Sequence, residues 1–270
     1  MTSSPDRIRA AFEAAAKRRG AALVTYVMAG DPDLATSREM VLACAAGGAD
    51  ILEIGMPFSD PIADGKTIQG AGERALRSGT TIASCLELAA EVRRRTPAAI
   101  ALMGYVNPVL AYGEERFLDA CVASGVDALI LPDLPPEEAG PFRAAAAARG
   151  VKLVFLLAPT STPARVAAAC DAATGFVYFV SVTGVTGARA SLPADLGEKV
   201  KEVRKRSPVP VVVGFGVGTP AQARAVGKLA DGVVVGSAIV QRIAQGGSRK
   251  ARAERVRRFV SLLSKALRRR

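Results

Sequence analysis

The sequence predicts an α/β protein: a (β/α)8 TIM barrel with an extra N-terminal helix and a basic C-terminal helix. Eight short Val/Ile/Leu-rich runs alternate with Ala/Arg/Glu-rich stretches of helical pattern. The runs are continuously apolar, as expected of parallel strands that are covered on both sides. Eight strand–helix units in about 250 residues match the usual size of such a barrel. The alternative, a doubly wound open sheet, is less favoured because no Gly-x-Gly-x-x-Gly turn follows the first strand.

The elements follow one another without a linker before residue 245, so we expect residues 1–270 to form one domain. Strands are expected near 22–28, 50–54, 98–103, 126–131, 151–157, 175–181, 209–214 and 231–235. Helices are expected near 6–18, 33–47, 80–95, 114–124, 136–149, 163–172, 194–206, 219–227, 238–245 and 249–268. Thr162 and Thr219 each precede a proline, and this pair of residue types is typical of a helix start.

The chain contains no histidine, which narrows the chemistry that it can perform. Imidazole catalysis and metal sites with a histidine ligand are excluded, so proton transfer falls mainly to carboxylates, lysine, tyrosine or cysteine. Four cysteines lie far apart in apolar segments, and we expect them to be buried free thiols of a cytoplasmic protein. No apolar run approaches the roughly 18 residues of a membrane helix, and the first residues lack the pattern of a signal peptide.

The positive charge of the chain is concentrated at its C-terminal end. Of the net charge of +11, residues 249–270 contribute +9, from ten Lys or Arg and one Glu, which leaves +2 for the rest. Apolar residues recur at helical spacing from Val256 to Leu267, so we expect a closing barrel helix with a solvated basic face. Binding of an acidic partner or nucleic acid is the less favoured alternative, because the body of the chain is nearly neutral.

Two carboxylates are the main candidates for catalysis, since active sites of these barrels lie at the C-terminal ends of the strands. Glu53 interrupts an apolar strand near that end, where poor solvation should raise its pKa and suit it to both donate and accept protons. Asp64 follows in a Pro- and Gly-rich loop that can fold over the barrel mouth. The alternatives are a buried ion pair for Glu53 and turn formation for Asp60 and Asp64.

Glycine-rich segments end the sixth, seventh and eighth units, at residues 183–187, 214–218 and 236–238. Phosphate sites in these barrels often use the loops after the last two strands and the N-terminus of a short helix. Gly236 and Ser237 open such a stretch and would offer backbone amides and a hydroxyl. Glycine alone also marks turns, but its recurrence in the expected units predicts a phosphate site.

Further polar residues are expected at the mouth: Tyr26, Tyr105, Asn107, Asp133 and Tyr178. Ordinary packing with a hydrogen-bond partner is an equal alternative for each. No lysine is placed convincingly inside the barrel for a Schiff base, and there is no histidine for a metal aldolase. If a carbon–carbon bond is cleaved, the substrate itself should carry the electron sink, as an aromatic heterocycle protonated on carbon would.

Residues 52–65 read Leu-Glu-Ile-Gly-Met-Pro-Phe-Ser-Asp-Pro-Ile-Ala-Asp-Gly. Shorter motifs accompany this run: Gly-Asp-Pro at 30–32, Leu-Met-Gly-Tyr-Val-Asn-Pro at 102–108, Pro-Asp-Leu-Pro at 132–135, Gly-Val-Thr-Gly at 184–187, Gly-Phe-Gly at 214–216 and Gly-Ser-Ala-Ile-Val at 236–240. The long run closely resembles the signature of the tryptophan synthase alpha subunit family, and the resemblance extends from about residue 6 to 245.

The resemblance implies a lyase that splits indole-3-glycerol phosphate into indole and glyceraldehyde 3-phosphate by a retro-aldol reaction in tryptophan biosynthesis. By motif, Glu53 is the expected general acid/base and Asp64 the residue that binds the indole N–H. Gly187, Gly216, Gly236 and Ser237 are the expected phosphate binders. Tyr26, Tyr105 and Tyr178 are expected around the substrate, and Thr186, in the lid Gly184–Gly187, is expected to contact Asp64 on closure.

The resemblance also implies a partner, a beta subunit that carries pyridoxal phosphate and receives indole through a tunnel in an alpha2beta2 complex. No cofactor is therefore expected on this chain. Pro57–Asp60, Asn107–Pro108 and Asp133–Pro135 are expected to face the partner, and the isolated chain should be slow if docking orders the lid. Some members carry an arginine where Val182 stands, so that lid contact is not expected here.

A phosphosugar isomerase of histidine or tryptophan biosynthesis is the alternative within the same fold. Asp31, at the end of the first strand, would then supply the acid. The Pro-Phe-Ser-Asp-Pro sequence at 57–61 argues against this alternative.

Overall fold

A computed structural model describes residues 6–180, 195–214 and 216–268, and its centre is a closed barrel. Parallel strands follow one another in chain order around the barrel, and the last pairs with the first. The strands are β1 (Ala22–Met28), β2 (Ile51–Gly55), β3 (Ala99–Met103), β4 (Ala128–Ile130), β5 (Lys152–Leu157), β6 (Val177–Val180), β7 (Val211–Gly214) and β8 (Gly232–Val235). The predicted (β/α)8 barrel is confirmed, and the doubly wound open sheet is wrong.

Helices cover the outside of the barrel and close one of its ends. They are α1 (Arg7–Lys17), α2 (Leu34–Ala46), α3 (Lys66–Arg77), α4 (Ile82–Arg93), α5 (Val106–Tyr112), α6 (Glu114–Ala123), α7 (Gly140–Ala148), α8 (Pro163–Ala172), α9 (Leu196–Arg206), α10 (Pro220–Gly227), α11 (Ser237–Ala244) and α12 (Arg249–Leu267). Two of them, α3 and α5, were not predicted, and α7 begins four residues after its expected start at 136.

The core has two layers because successive residues of a strand point to opposite faces. In β1, Ala22, Val24 and Tyr26 pack inside the barrel, whereas Leu23 and Val27 pack against the surrounding helices. Both layers are apolar, which explains why the strands read as continuous rather than alternating apolar runs.

Helix α1 closes the end of the barrel at which the strands begin. Its apolar residues Ile8 and Phe12 belong to the inner layer. The rings of Phe12 and Phe176 pack edge to face, with 5.8 Å between their centres. The extra N-terminal helix therefore completes the core from below and leaves the opposite end of the barrel for a site.

Three aspartates join neighbouring strands at the same lower end. Each carboxylate accepts a hydrogen bond from the backbone N–H of a residue in the preceding strand and pairs with an arginine. Asp50 accepts from Leu23 and pairs with Arg18. Asp127 accepts from Ile100 and pairs with Arg93, and Asp231 accepts from Val211 and pairs with Arg204. Arg7 of α1 also reaches Asp127, at 3.1 Å, so the helix is fixed to the barrel by charge as well as by packing.

Helix α12 packs on α2, α10 and α11 and has the amphipathic character that its sequence predicts. The buried side chains of the predicted apolar face are Val256, Phe259, Val260, Leu263 and Leu267. Many of its arginines face outward, including Arg258, whose side chain is 74% exposed. The prediction of a closing helix with a basic outer face is confirmed.

All four cysteines are buried and unpaired, as expected: Cys44, Cys85, Cys121 and Cys170. Within the described ranges, no helix combines the length and the apolar character needed to cross a membrane.

Candidate active site

A cavity of about 740 Å³ lies at the end of the barrel where the strands finish. Seven of the predicted site residues contribute to its walls: Tyr26, Glu53, Asp64, Tyr178, Gly216, Gly236 and Ser237. Strand residues form its floor, the loop after β2 forms one side, and the loops after β7 and β8 form another. The candidate acids and the glycine-rich segments therefore belong to one site.

Glu53 is the buried acid of the site, with 1% of its surface exposed. Its position in β2 turns the side chain into the barrel, since its neighbours Leu52 and Ile54 pack outward. Its Oε2 atom has no hydrogen-bond partner among the described residues, and no lysine or arginine there pairs with it. Burial, and secondly the charge of Asp64, raise the pKa of Glu53 to about 8. The structural ion pair considered for this residue is therefore absent from the described part of the chain.

Asp64 ends the loop between β2 and α3, directly before Gly65, the residue that precedes the helix. Burial raises the pKa of Asp64 to about 6, and a hydrogen bond from the Tyr105 hydroxyl opposes that rise. The two carboxyl groups on this cavity thus have separated pKa values, which lets one stay protonated while the other is ionised.

Tyr105 supports the Asp64 loop and does not itself belong to the described cavity wall. Its hydroxyl donates to Asp64 and accepts the backbone N–H of Ala63 at 3.0 Å. Its ring lies 5.3 Å from that of Phe58 in the same loop. Within the described residues Tyr105 holds the loop that carries Asp64, and its expected place around the substrate stays a prediction.

The rings of Tyr26 and Tyr178 each pack over a glycine of the neighbouring strand, Gly55 and Gly214 respectively. A Cβ atom on Gly55 would overlap the Tyr26 hydroxyl, and one on Gly214 would overlap the Tyr178 hydroxyl. The absent side chains make room for the two rings in the floor of the cavity. Burial raises the pKa of both tyrosines well above the ordinary value, with added effects of Asp64 and Glu53, so both hydroxyls remain protonated.

The glycine-rich side of the cavity is built by the chain after β7 and β8. Gly216 has φ +81°, a conformation that favours glycine, and Gly236 precedes the first residue of α11, Ser237. The first amides of a helix have no partner within it and carry partial positive charge. Together with the Ser237 hydroxyl they form a place suited to an anion.

Thr186, Gly187 and Val182 fall outside the described residues. Asp133 accepts the backbone N–H of Val106 at 3.1 Å and so fixes the start of α5.

Asp31 is fully engaged by an arginine. The guanidinium of Arg74, in α3, makes a forked contact with it at 2.7 and 2.9 Å, and Asp31 is only 2% exposed. The Asp31 carboxylate therefore has a structural role in an ion pair with Arg74. It does not serve as the free acid that the isomerase alternative required.

The cavity also includes residues that the sequence analysis missed. These are Ile68, Met103, Gln222, Gln241 and Arg242, among others. Ile68 was missed together with its helix α3. Gln241 lies four residues after Ser237 in α11, so the helical period from the predicted phosphate site would have found it, whereas Arg242 lies off that side of the helix.

The model of the tryptophan synthase alpha chain family matches residues 12–268. The chain belongs to the tryptophan synthase alpha chain family. The alpha chain of Citrifermentans bemidjiense is 52% identical over 235 residues, which cover 87% of this chain and 88% of the relative. That of Pelobacter propionicus is 48% identical over 262 residues, covering 97% of this chain and 98% of the relative.

Solved structures agree with this assignment. Tryptophan synthase from Mycobacterium tuberculosis superposes with a TM-score of 0.91 at 38% identity, over 99% of this chain and 100% of the other. Tryptophan synthase subunit alpha from Legionella pneumophila gives 0.89 at 32% identity, over 98% and 99%. The predicted resemblance is confirmed, and with it the lyase class: tryptophan synthase alpha chains cleave indole-3-glycerol phosphate to indole and glyceraldehyde 3-phosphate and work with a beta subunit.

Proposed function

We propose that this tryptophan synthase alpha chain cleaves indole-3-glycerol phosphate with Glu53 as general acid/base and Asp64 as the partner of the indole nitrogen. One observation carries the proposal: a buried glutamate with an unpartnered oxygen faces the same cavity as a second carboxylate of lower pKa. The glycine-rich loops on the other side suit the phosphate of the same substrate.

The protonation states near neutral pH favour this division of roles. With a pKa of about 8, Glu53 is mostly protonated and holds the proton that the ring needs. With a pKa of about 6, Asp64 is mostly ionised and accepts a hydrogen bond from the indole N–H. A general acid works best when its pKa lies near the working pH.

The reaction then proceeds in two proton transfers. Glu53 protonates the ring carbon that carries the glycerol chain, and the positive charge that develops on the ring is stabilised by Asp64. The bond between that carbon and the side chain breaks, and its electron pair returns to the ring. The side-chain hydroxyl becomes the aldehyde as its proton passes to the Glu53 carboxylate, which restores the acid. No imine or metal is required, because the ring accepts the electrons.

The remaining predicted residues position the substrate. Gly216, Gly236 and Ser237, with Gly187 of the lid, bind the phosphate, while Tyr26 and Tyr178 enclose the indole. Thr186 contacts Asp64 when the lid closes. These assignments rest on the shared cavity for the described residues and on the family motif for Thr186 and Gly187.

The proposed partner surface surrounds the loop that carries Asp64. It consists of Pro57–Asp60, Asn107–Pro108 and Asp133–Pro135. Two large apolar side chains near it are exposed, Ile62 at 85% and Leu110 at 52%, and a partner would cover them. We place pyridoxal phosphate on the beta subunit of an alpha2beta2 complex. This chain would act as one cytoplasmic domain, residues 1–270, without a cofactor of its own.

An indole-release assay with indole-3-glycerol phosphate, with and without a beta subunit, tests the proposal. Glu53→Gln should lower kcat by about 10²–10⁴-fold, the usual contribution of general acid–base catalysis. Asp64→Asn should also lower kcat, because the neutral amide stabilises the charged ring less. The beta subunit should accelerate the native chain.

Glu87→Gln is the matched control, since Glu87 is exposed on α4, away from the cavity. It should turn over like the native chain, and circular dichroism should show that all variants are folded. Ordinary turnover by Glu53→Gln would refute the assignment of the acid.

A further inference from the structure

Arg242 is the one cationic side chain among the described residues that line the cavity. The other ionisable groups in that wall are Glu53, Asp64 and two tyrosines. Asp64 is mostly ionised near neutral pH, so without Arg242 the described wall would carry net negative charge. A phosphate monoester carries close to two negative charges and would be repelled.

The guanidinium of Arg242 is held next to the start of α11. Its Nη1 atom donates to the carbonyl oxygen of Ala238, the residue after Ser237, at 2.7 Å. Its central carbon lies 3.4 Å above the centre of the Phe259 ring in α12, a cation–π contact. Arg255 of α12 donates to the Arg242 carbonyl oxygen at 2.9 Å. The C-terminal helix thus fixes both the head and the backbone of this residue.

No aspartate or glutamate compensates this charge in the described part of the chain. None of the aspartates or glutamates in the described ranges forms an ion pair with Arg242, and the residues outside those ranges include no Asp or Glu. Burial lowers the pKa of Arg242, although an arginine remains charged at any physiological pH. By contrast, Arg74, another arginine near the mouth, is neutralised by Asp31. A partly buried cation without a counter-ion is costly unless a ligand provides one.

We infer that Arg242 is the counter-ion of the substrate phosphate and thereby a specificity-determining residue for phosphorylated substrates. This inference rests on the proposed function. The amides near Gly216 and Gly236 and the Ser237 hydroxyl orient the phosphate oxygens through dipoles, whereas Arg242 supplies the formal charge that they lack. Because α12 supports the guanidinium, the C-terminal helix takes part in substrate recognition from outside the barrel.

Binding of inorganic phosphate and glycerol 3-phosphate to the full chain, measured by calorimetry, tests this inference. In Arg242→Met both dissociation constants should rise about tenfold or more, as expected for the loss of a charge-assisted contact. The KM for indole-3-glycerol phosphate should rise similarly while kcat changes less than about twofold, because the contact is made equally in ground and transition states. Affinity for indole-3-propanol, which has no phosphate, should be unchanged.

Arg258→Met is the matched control, because Arg258 lies on α12, outside the cavity wall. It should bind phosphate like the native chain. Should Arg242→Met fail to fold, Arg242→Gln, which keeps a donor for the Ala238 carbonyl, gives the same comparison. Phe259→Leu removes the stacking but keeps the charge, so a smaller rise in the phosphate dissociation constant is expected.

The outcomes separate this inference from the proposed function. Phosphate affinity within twofold of native in Arg242→Met or Arg242→Gln overturns the inference even if the chain cleaves its substrate. Equal losses for phosphate and for indole-3-propanol overturn it as well, since they indicate a general disturbance of the site. Arg242-dependent phosphate binding by a chain that cleaves no indole-3-glycerol phosphate would support the inference and refute the proposed function.

Discussion

The Tyr105 hydroxyl donates a hydrogen bond to Asp64 and so connects the end of β3 to the loop after β2. The same oxygen accepts the N–H of Ala63, which makes this hydroxyl the link between a carboxylate and the backbone beside it. Burial raises the pKa of Asp64 and this bond opposes the rise, and the result is a pKa of about 6. The contact therefore sets both the position and the charge of the group proposed to face the indole nitrogen.

Tyr105→Phe should raise the pKa of Asp64 by about one unit or more, because a hydrogen bond to a charged group is worth about 1.5–3 kcal/mol. In the native chain, kcat/KM should rise with pH as Asp64 ionises near 6 and fall as Glu53 ionises near 8. In the variant the rising limb should move to higher pH while the falling limb stays. Tyr112→Phe, on α5, should leave both limbs in place, and an unmoved rising limb in Tyr105→Phe would contradict the argument.

Glu53→Gln should change how stability depends on pH. The folded native chain keeps a proton on Glu53 that the unfolded chain releases near pH 4.5, so its free energy of unfolding falls as pH rises from about 4.5 to 8. Glutamine does not titrate, so the variant should lack this decline. Urea unfolding of both chains at pH 5 and pH 8 should show an extra native loss of about 2–4 kcal/mol over that interval. Parallel pH profiles of stability would show that Glu53 is not buried with a raised pKa.

Asp127→Ala should destabilise the fold without altering the chemistry. The change removes the acceptor of the Ile100 N–H and the partner of Arg93, both at the end of the barrel opposite the cavity. Burial raises the pKa of Asp127, which means that its ion pairs only partly offset the cost of desolvation. We therefore expect the free energy of unfolding to fall by about 2 kcal/mol. Urea unfolding measures this loss. Asp171→Asn, which breaks an exposed pair with Arg206, should cost less than about 1 kcal/mol.

Gly214→Ala should impair substrate binding, because the added methyl group would overlap the Tyr178 hydroxyl and push the ring out of its place. We expect kcat/KM to fall by about tenfold or more and the stability by about 1–3 kcal/mol, as for other overpacked cores. Steady-state kinetics and thermal unfolding measure the two effects. The same change at Gly140, where a Cβ atom would meet nothing within 4 Å, should alter neither. Native kinetics in Gly214→Ala would mean that Tyr178 does not shape the site.

The sequence was most informative for segments whose burial requires apolar residues. The strands are covered on both faces, so their apolar runs were recognisable, and Glu53 stood out as an acid inside such a run. Helix α3 was missed because Gly70 and Gly72 resemble loop residues. A Cβ atom at Gly72 would lie 3.6 Å from Met28, an ordinary packing distance, so a helix passes there without strain. Helix α5 was missed because of Pro108, which is tolerated there because the first turn needs no donor from it.

Tertiary contacts decided the parts of the site that the sequence left open. An arginine in a helical pattern normally faces solvent, and only the packing of α12 reveals that Arg242 is held at the cavity. Tyr105 follows strand β3 and Tyr178 lies within β6, yet the sequence did not show that one supports a loop and the other lines the cavity. Such differences depend on which neighbours meet in three dimensions, and no local pattern contains that information.

The rings of Tyr26 and Tyr178 occupy the room that the missing side chains of Gly55 and Gly214 leave in the floor of the cavity. Since neither glycine has a side chain, neither would fill the volume released if the ring beside it were shortened. The range of heteroaromatic compounds that fit could therefore widen through a single replacement in the floor, while the hydrogen-bonded frame of the barrel stays as it is.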